Sequence, residues 1–209
     1  MDSIGNQTSA SSVESQSTIN NPIIYPVILA VPEKDRQLSG RKKVSSLSRH
    51  ARQALEISAR KSSIVLPELL KDANGAPLPF NGTYWSLTHK AQYVGAVVAS
   101  TRIGIDIEQV RPCSKALLKK TADKTEWSLA DNHSDSLFFR FWTSKECVLK
   151  AAGTGIKDLS KCRIVEIIDD YNLLIDYQGK QWRIEHSFFD GHIASVVKNE
   201  FDIQWTIIN

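Results

Sequence analysis

Two acidic residues on a single strand face are the first candidates for chemistry in this chain. In Gly104-Ile105-Asp106-Ile107-Glu108, strand alternation turns Ile105 and Ile107 to one side and sets Asp106 and Glu108 side by side on the other. Carboxylates this close repel, so a cation belongs with them. Hard oxygen ligands suit Mg2+, which takes one or two carboxylates and fills its other positions with water and phosphate oxygens. Taken alone, a D-x-E reads more readily as the polar face of an exposed strand. Support comes from Phe141 to Lys150, where Glu146 and Lys150 are four apart on one helix face with Trp142 one turn earlier. A surface ion pair is the plain alternative, at roughly a few tenths of a kcal/mol. Against it, Phe138, Phe139, Phe141, Trp142, Val148, Leu149 and Ala152 leave little of this helix to solvent. A charged pair on an apolar helix is costly unless it meets another charge.

These residues need elements to hold them. The β-branched run Ile24 to Val31 predicts a buried strand closed by Pro32. Glu33 to Lys61 then holds nine Lys or Arg against three acids, so the rest of the chain is net acidic. Within that segment, Leu47, Ala51, Ala54, Leu55 and Ile57 keep helical spacing and leave Arg49, Arg52 and Arg60 off the apolar stripe. Such a face is either solvated or anion-binding, and the local excess favours anions. Lys71 to Gly82 is dense in turn signals, and strands follow at Thr83 to His89, Tyr93 to Ser100 and Ile103 to Glu108. Short helices are predicted at Ser114 to Lys120 and Asp123 to Ala130, the latter with a capping box of Asp123 and Glu126. A longer helix runs from Ser136 to Ala152 and ends at Gly153. A meander of strands completes the chain at Cys162 to Ile168, Leu173 to Tyr177, Gln181 to His186 and Ile193 to Val197. Helices beside antiparallel strands make an α+β fold.

Tyr84-Trp85-Ser86-Leu87-Thr88-His89 is echoed by Gln181-Trp182-Arg183-Ile184-Glu185-His186, and Tyr93 to Val98 by His192 to Val197, at offsets of 97 and 99. A duplicated unit explains this: two similar lobes, residues 21–101 and 102–209, related by a pseudo-twofold. Chance likeness of short apolar strands is the alternative. Met1 to Asn20, rich in Ser, Thr, Asn and Gln, reads as a disordered tail.

Composition narrows the classes. The 209 residues carry a formal charge of +3 with 42% hydrophobic and 23% charged types, which excludes wholesale disorder, collagen and coiled coil. Cys113, Cys147 and Cys162 are odd in number and lack C-x-x-C spacing, so neither a disulfide framework nor a zinc cluster is suggested. The longest apolar run, Ile23 to Val31, is broken by Pro26 and falls short of the ~20 residues of a membrane span. A cytoplasmic location is expected.

At a separation of about forty residues, Gly104 to Glu108 and Trp142-Thr143-Ser144-Lys145-Glu146-Cys147-Val148-Leu149-Lys150-Ala151-Ala152-Gly153-Thr154-Gly155-Ile156 resemble the two signatures of the 4'-phosphopantetheinyl transferases. These are a (V/I)-G-(V/I)-D-I-E strand and a W-(S/T)-x-K-E-(A/S/C)-x-x-K-x-x-G-x-G-(L/I) helix and turn. The resemblance covers Ile24 to Lys198 and is to the single-chain, two-lobed type that activates peptide and polyketide synthetases. It implies transfer of the phosphopantetheine arm of coenzyme A to a serine of an acyl or peptidyl carrier protein, with release of adenosine 3',5'-bisphosphate. It implies Asp106, Glu108 and Glu146 around Mg2+, Glu146 also as general base, and Lys150 on the pyrophosphate and leaving group. Thr88 and His89 would contact the nucleotide phosphates, with Arg52, and less readily Arg49, on the 3'-phosphate. His186, at the matching place in the second half, is expected to be an ordinary core histidine. Two lobes in one chain, able to complete the site internally, lead to the expectation of a monomer, with no nucleic-acid or membrane partner.

Two departures stand out. Thr88-His89-Lys90 replaces the usual S-H-S, adding a cation. Gly75-Ala76-Pro77 replaces G-K-P, removing one that Lys71 or Lys90 could supply. A Mg2+-dependent nuclease and a non-catalytic coenzyme A-binding module are the competing readings.

Overall fold

A computed structural model describes residues 21–73 and 75–209, so the tail expected over 1–20 lies outside the described residues, as does Asn74. The elements run β1 (Ile23–Ile24), β2 (Val27–Ala30), α1 (Glu33–Arg36), α2 (Gly40–Lys61), β3 (Tyr84–His89), β4 (Tyr93–Ala99) and β5 (Ile105–Gln109). Then come α3 (Lys115–Thr121), α4 (Lys124–Trp127), α5 (Asp135–Ala152) and a 3-10 turn over Ile156–Lys161. The last six are β6 (Arg163–Ile167), β7 (Asn172–Tyr177), β8 (Lys180–Phe189), β9 (His192–Val197), β10 (Asp202–Ile203) and β11 (Thr206–Ile208). The class is α+β, as the sequence predicts. The single strand expected over Ile24 to Val31 is divided at Tyr25-Pro26, where proline offers no N–H to a ladder.

One sheet has the order β11-β2-β4-β3, a second β5-β9-β8-β7-β6, and β1 pairs in parallel with β10 in a third of two strands. In each of the first two, the echoed segments form an antiparallel hairpin, β3 with β4 and β8 with β9. The order β2-β4-β3 in the first sheet matches β5-β9-β8 in the second, with a long helix inserted after the leading strand each time. The end of the chain leaves the second sheet, and β11 lies parallel to β2.

Each long helix covers a sheet. On α2, Leu47, Ala51, Ala54 and Leu55 are buried against Val27, Val94, Ala96 and Val98. On α5 the apolar surface is wider, and Phe141, Val148 and Leu149 share a core with Ile105, Leu173, Ile184 and Val196. Helix α5 ends at Gly153 in the left-handed conformation, φ 72°, that glycine adopts without a side-chain penalty.

The sheets meet where β3 and β4 approach β5, and the Ile105 N–H donates to Ser86 Oγ at 3.2 Å. Gly104 makes the close contact that seats β5. A Cβ there would lie 1.8 Å from the Cys147 carbonyl oxygen and 3.0 Å from the Ala151 nitrogen, so the strand rests on the backbone of α5.

A buried ion pair braces the opposite side of α5. Lys145 Nζ lies 2.5 Å from Glu126 Oε1 and donates to the Thr121 carbonyl at 2.7 Å, with both side chains almost fully enclosed. Glu126 also accepts from the backbone N–H of Asp123 and of Ile164, each at 2.9 Å, tying α4 and β6 to α5 and completing the predicted capping box. Lys145→Met strands a buried carboxylate and is expected to cost about 3 kcal/mol. Adding Glu126→Gln restores part of the loss, and urea unfolding of both variants measures it.

Candidate active site

Asp106 and Glu108 leave β5 on the side away from Ile105 and Ile107, both fully buried. Glu146, Lys150 and Trp142 leave α5 toward them, and Thr88 and His89 come from the end of β3. All seven line one cavity of about 310 Å³, together with Lys90 and Leu87. Asp106 and Glu146, drawn from a strand and a distant helix, therefore share one site. That convergence is the condition on which the sequence reading depended.

The cavity continues into two others. Glu146, Lys150 and Leu87 also line a groove of about 490 Å³ whose far wall is Gly75, Ala76, Pro77 and the Gly153–Lys157 turn. His89, Leu87, Trp85 and Lys71 connect to a recess of about 160 Å³ that holds Arg52. Lys71 is bridged to Pro77 across the loop, beside Ala76, so a lysine stands next to the position where the resembled pattern has one.

Hydrogen bonds fix the acids. Asp106 is 3% exposed, and its Oδ1 accepts from Thr88 Oγ1 at 2.9 Å and Lys150 Nζ at 2.7 Å. Lys150 also donates to the Ile105 carbonyl at 3.0 Å. Glu108 Oε1 accepts from Trp142 Nε1 at 3.1 Å and Lys90 Nζ at 2.6 Å. Trp142 and Lys90 thus hold the carboxylate that the sequence assigned to metal. Neither was expected to hold Glu108: the sequence offered Lys90 only as a replacement cation for coenzyme A, and placed Trp142 on the Glu146 face by helical spacing.

Burial, then the Asp106 charge, raises the Glu146 carboxyl above the ordinary carboxylate range, while Lys150 and Lys90 pull the other way. A carboxyl with a raised proton affinity is better suited to accept a proton near neutral pH. The imidazole of His89 is shifted down, first by desolvation and then by Lys150, Lys90 and Lys71. It stays neutral at pH 7 and can donate one hydrogen bond without adding charge. For Lys90, burial works to lower the pKa, and Asp106 and Glu108 together more than offset it, so the ammonium is held.

Mg2+ fits the donor set. Asp106 Oδ2 is buried without a hydrogen-bond partner, a bare hard oxygen in a cavity that Glu108 and Glu146 also line. The acids are not drawn into a closed cage, since among the described residues no three of His, Cys, Asp or Glu gather tightly enough to hold a metal ion. Lysines neutralise two of them instead.

Arg49 is not brought to the site. Its guanidinium lies 3.4 Å from Asp35 Oδ2, a carboxylate that also accepts from Ser46 and contacts His50, so it braces α1 against α2. Arg52, one turn further on, lines the recess with His89. His186 is the core histidine expected, 2% exposed, with Nδ1 2.9 Å from Ser195 Oγ, and burial keeps it neutral.

Comparison with known proteins agrees with this geometry. Residues 102–197, which include both signatures, match the family model of the 4'-phosphopantetheinyl transferase superfamily. The 4'-phosphopantetheinyl transferase HetI of Nostoc sp. is 38% identical over 91 residues, covering 40% of this chain and 38% of that protein. Sfp of Bacillus subtilis, also a 4'-phosphopantetheinyl transferase, is 32% identical over 77 residues, 35% of this chain and 34% of its own. The mouse L-aminoadipate-semialdehyde dehydrogenase-phosphopantetheinyl transferase is 26% identical over 160 residues, 65% and 51% of the two chains. The chain thus spans between a third and about half of the length of these relatives. With both signatures inside the matched segment and their side chains around one cavity, residues 102–197 are similar to the 4'-phosphopantetheinyl transferase superfamily.

Proposed function

We propose that this protein transfers the 4'-phosphopantetheine arm of coenzyme A to a serine hydroxyl of an apo acyl or peptidyl carrier protein, in a Mg2+-dependent reaction that releases adenosine 3',5'-bisphosphate. The observation that carries the proposal is the meeting of Asp106, Glu108, Glu146 and Lys150 in one cavity that opens toward Arg52 and Lys71. Attack on a phosphoryl group leaves the protein mainly positioning and charge neutralisation to supply.

Asp106, Glu108 and Glu146 would hold Mg2+, which when bound neutralises the pyrophosphate and polarises the bond to be cleaved. Glu146 accepts the serine proton, directly or through water, as the serine oxygen attacks the phosphorus bearing the pantetheine arm. Lys150, anchored on Asp106 and the Ile105 carbonyl, faces the departing bisphosphate and neutralises its charge. Neutral His89, with Thr88 beside it, offers a hydrogen bond to nucleotide phosphate. Arg52 takes the 3'-phosphate. The groove between the Gly75-Ala76-Pro77 loop and Gly153-Thr154-Gly155 suits the uncharged pantetheine arm.

All these residues come from one chain, which supports a monomer. The repeated strand order supports reading 21–101 and 102–209 as two lobes. Three free cysteines agree with a cytoplasmic location, and no helix among the described residues is long and apolar enough to cross a membrane.

Arg52→Ala removes one phosphate contact that ground state and transition state share. It is expected to raise KM for coenzyme A about tenfold with kcat changed less than about twofold. Steady-state kinetics at saturating carrier separates the two. The proposal as a whole is tested by incubating the protein with coenzyme A, Mg2+ and a panel of apo carrier proteins. A mass gain of one phosphopantetheine on the carrier serine is expected. Unchanged mass across the panel, with coenzyme A intact, overturns it.

A further inference from the structure

Resting on the reading of Asp106, Glu108 and Glu146 as cation ligands, one further cation in the site has a definite task. Lys90 follows β3 directly, and its Nζ lies 2.6 Å from Glu108 Oε1, the oxygen that also accepts from Trp142. Lys150 is paired in the same way with Asp106. Two ammonium groups therefore stand on two of the three acids, and Asp106 Oδ2 is a buried oxygen left without a hydrogen-bond partner.

The two lysines differ in how firmly they are held. Lys150 is tied to both a carboxylate and the Ile105 carbonyl. The Lys90 side chain is 36% exposed, and its one hydrogen bond to protein given by the structure is to Glu108. Its backbone N–H is fixed to the Tyr93 carbonyl at 2.8 Å, so the stem is anchored while the ammonium can swing toward solvent. A divalent ion held on Asp106 Oδ2 would have to share the Glu108 carboxylate with the Lys90 ammonium that now neutralises it.

We infer that Lys90 is a specificity-determining residue of the cation site: an internal counter-ion that competes with the divalent metal for Glu108 and sets the concentration at which metal binds. The acids can then stay neutralised in the metal-free protein, at the cost of weaker metal binding. Removing Lys90 lifts both the competition for Glu108 and a like charge beside the incoming ion.

Mn2+ titration followed by the paramagnetic resonance signal of the free ion tests this on the full chain without substrate, with circular dichroism checking the fold. Lys90→Ser and Lys90→Gln are expected to bind Mn2+ about tenfold more tightly than the parent, and Lys90→Arg to stay within about threefold of it. Without metal the Ser and Gln variants melt below the parent, and saturating Mn2+ raises their melting temperatures by more. Equal Mn2+ affinity in parent, Ser and Gln forms overturns the inference and leaves the metal site standing, since Lys90 is then a surface brace alone. Weaker binding in Ser and Gln also overturns it. Binding to none of the proteins overturns the inference and the metal reading together.

Discussion

Glu146→Gln is expected to lower kcat/KM for carrier modification by about 1,000-fold or more while coenzyme A binding changes by less than about threefold. One substitution removes the proton acceptor, which is needed only when the serine attacks, and leaves Asp106 and Glu108 to serve the proposed cation site while coenzyme A binds. Because neutral glutamine fills nearly the same space, the groove that receives coenzyme A keeps its shape. Calorimetry of coenzyme A binding beside single-turnover transfer would separate these effects. Equal losses in binding and transfer would make Glu146 a binding residue.

The same variant carries a stability signature. The Glu146 carboxyl is shifted up from its ordinary value of 4.5 by burial and by Asp106. A group with a raised folded-state pKa contributes stability that is full below the unfolded value and is lost as pH rises through the folded one. The parent therefore loses this contribution above pH 4.5, and glutamine, which never ionises, does not. Melting temperatures at pH 8 should place Glu146→Gln level with the parent or above it. Below pH 4.5, where both states of the parent are protonated, that advantage disappears.

The second large effect is on folding. Gly104→Ala is expected to destabilise the protein by more than about 4 kcal/mol and to leave most of it insoluble. The new methyl would stand 1.8 Å from the Cys147 carbonyl oxygen, a backbone atom in the middle of α5 that no rotamer change can move. Relief requires β5 to lift from α5, which separates Asp106 from Lys150. Any soluble fraction should therefore lose transfer activity as well. Gly95→Ala is a graded control, since its nearest neighbour is the Ile107 Cδ1 side-chain atom at 2.8 Å, which can yield in part. Urea unfolding of the two variants ranks them, and equal stability would show that the close approach at Gly104 is not needed.

Local periodicity made much of this site legible. Period-two alternation put Asp106 and Glu108 on the face opposite Ile105 and Ile107, and helical spacing put Trp142, Glu146 and Lys150 on another. Both patterns are fixed by backbone geometry within a few residues. The internal echo pointed to a repeated unit, and the echoed segments each form a hairpin, β3 with β4 and β8 with β9.

Long-range pairings were hidden. Arg49 looked as free as Arg52 on the cationic face, and only the docking of α1 gives it Asp35 as a partner. Lys145, inside the helix signature, had no role from spacing, since its partner Glu126 is on α4 and reads locally as a cap. Lys90 was recognised as an added charge but not as the partner of Glu108, because that contact joins the end of β3 to β5. The return of β11 to β2 joins residues about 180 apart and leaves no local pattern.

A crystal grown with Mn2+ and coenzyme A puts the assembly of the site to the most direct trial, through an anomalous-difference map at the manganese edge. The expected result is one strong peak touching Asp106 Oδ2, Glu108 and Glu146 on one side and the pyrophosphate of coenzyme A on the other. A peak bound elsewhere on the chain, or coenzyme A seated with its pyrophosphate away from these three carboxylates, would contradict it.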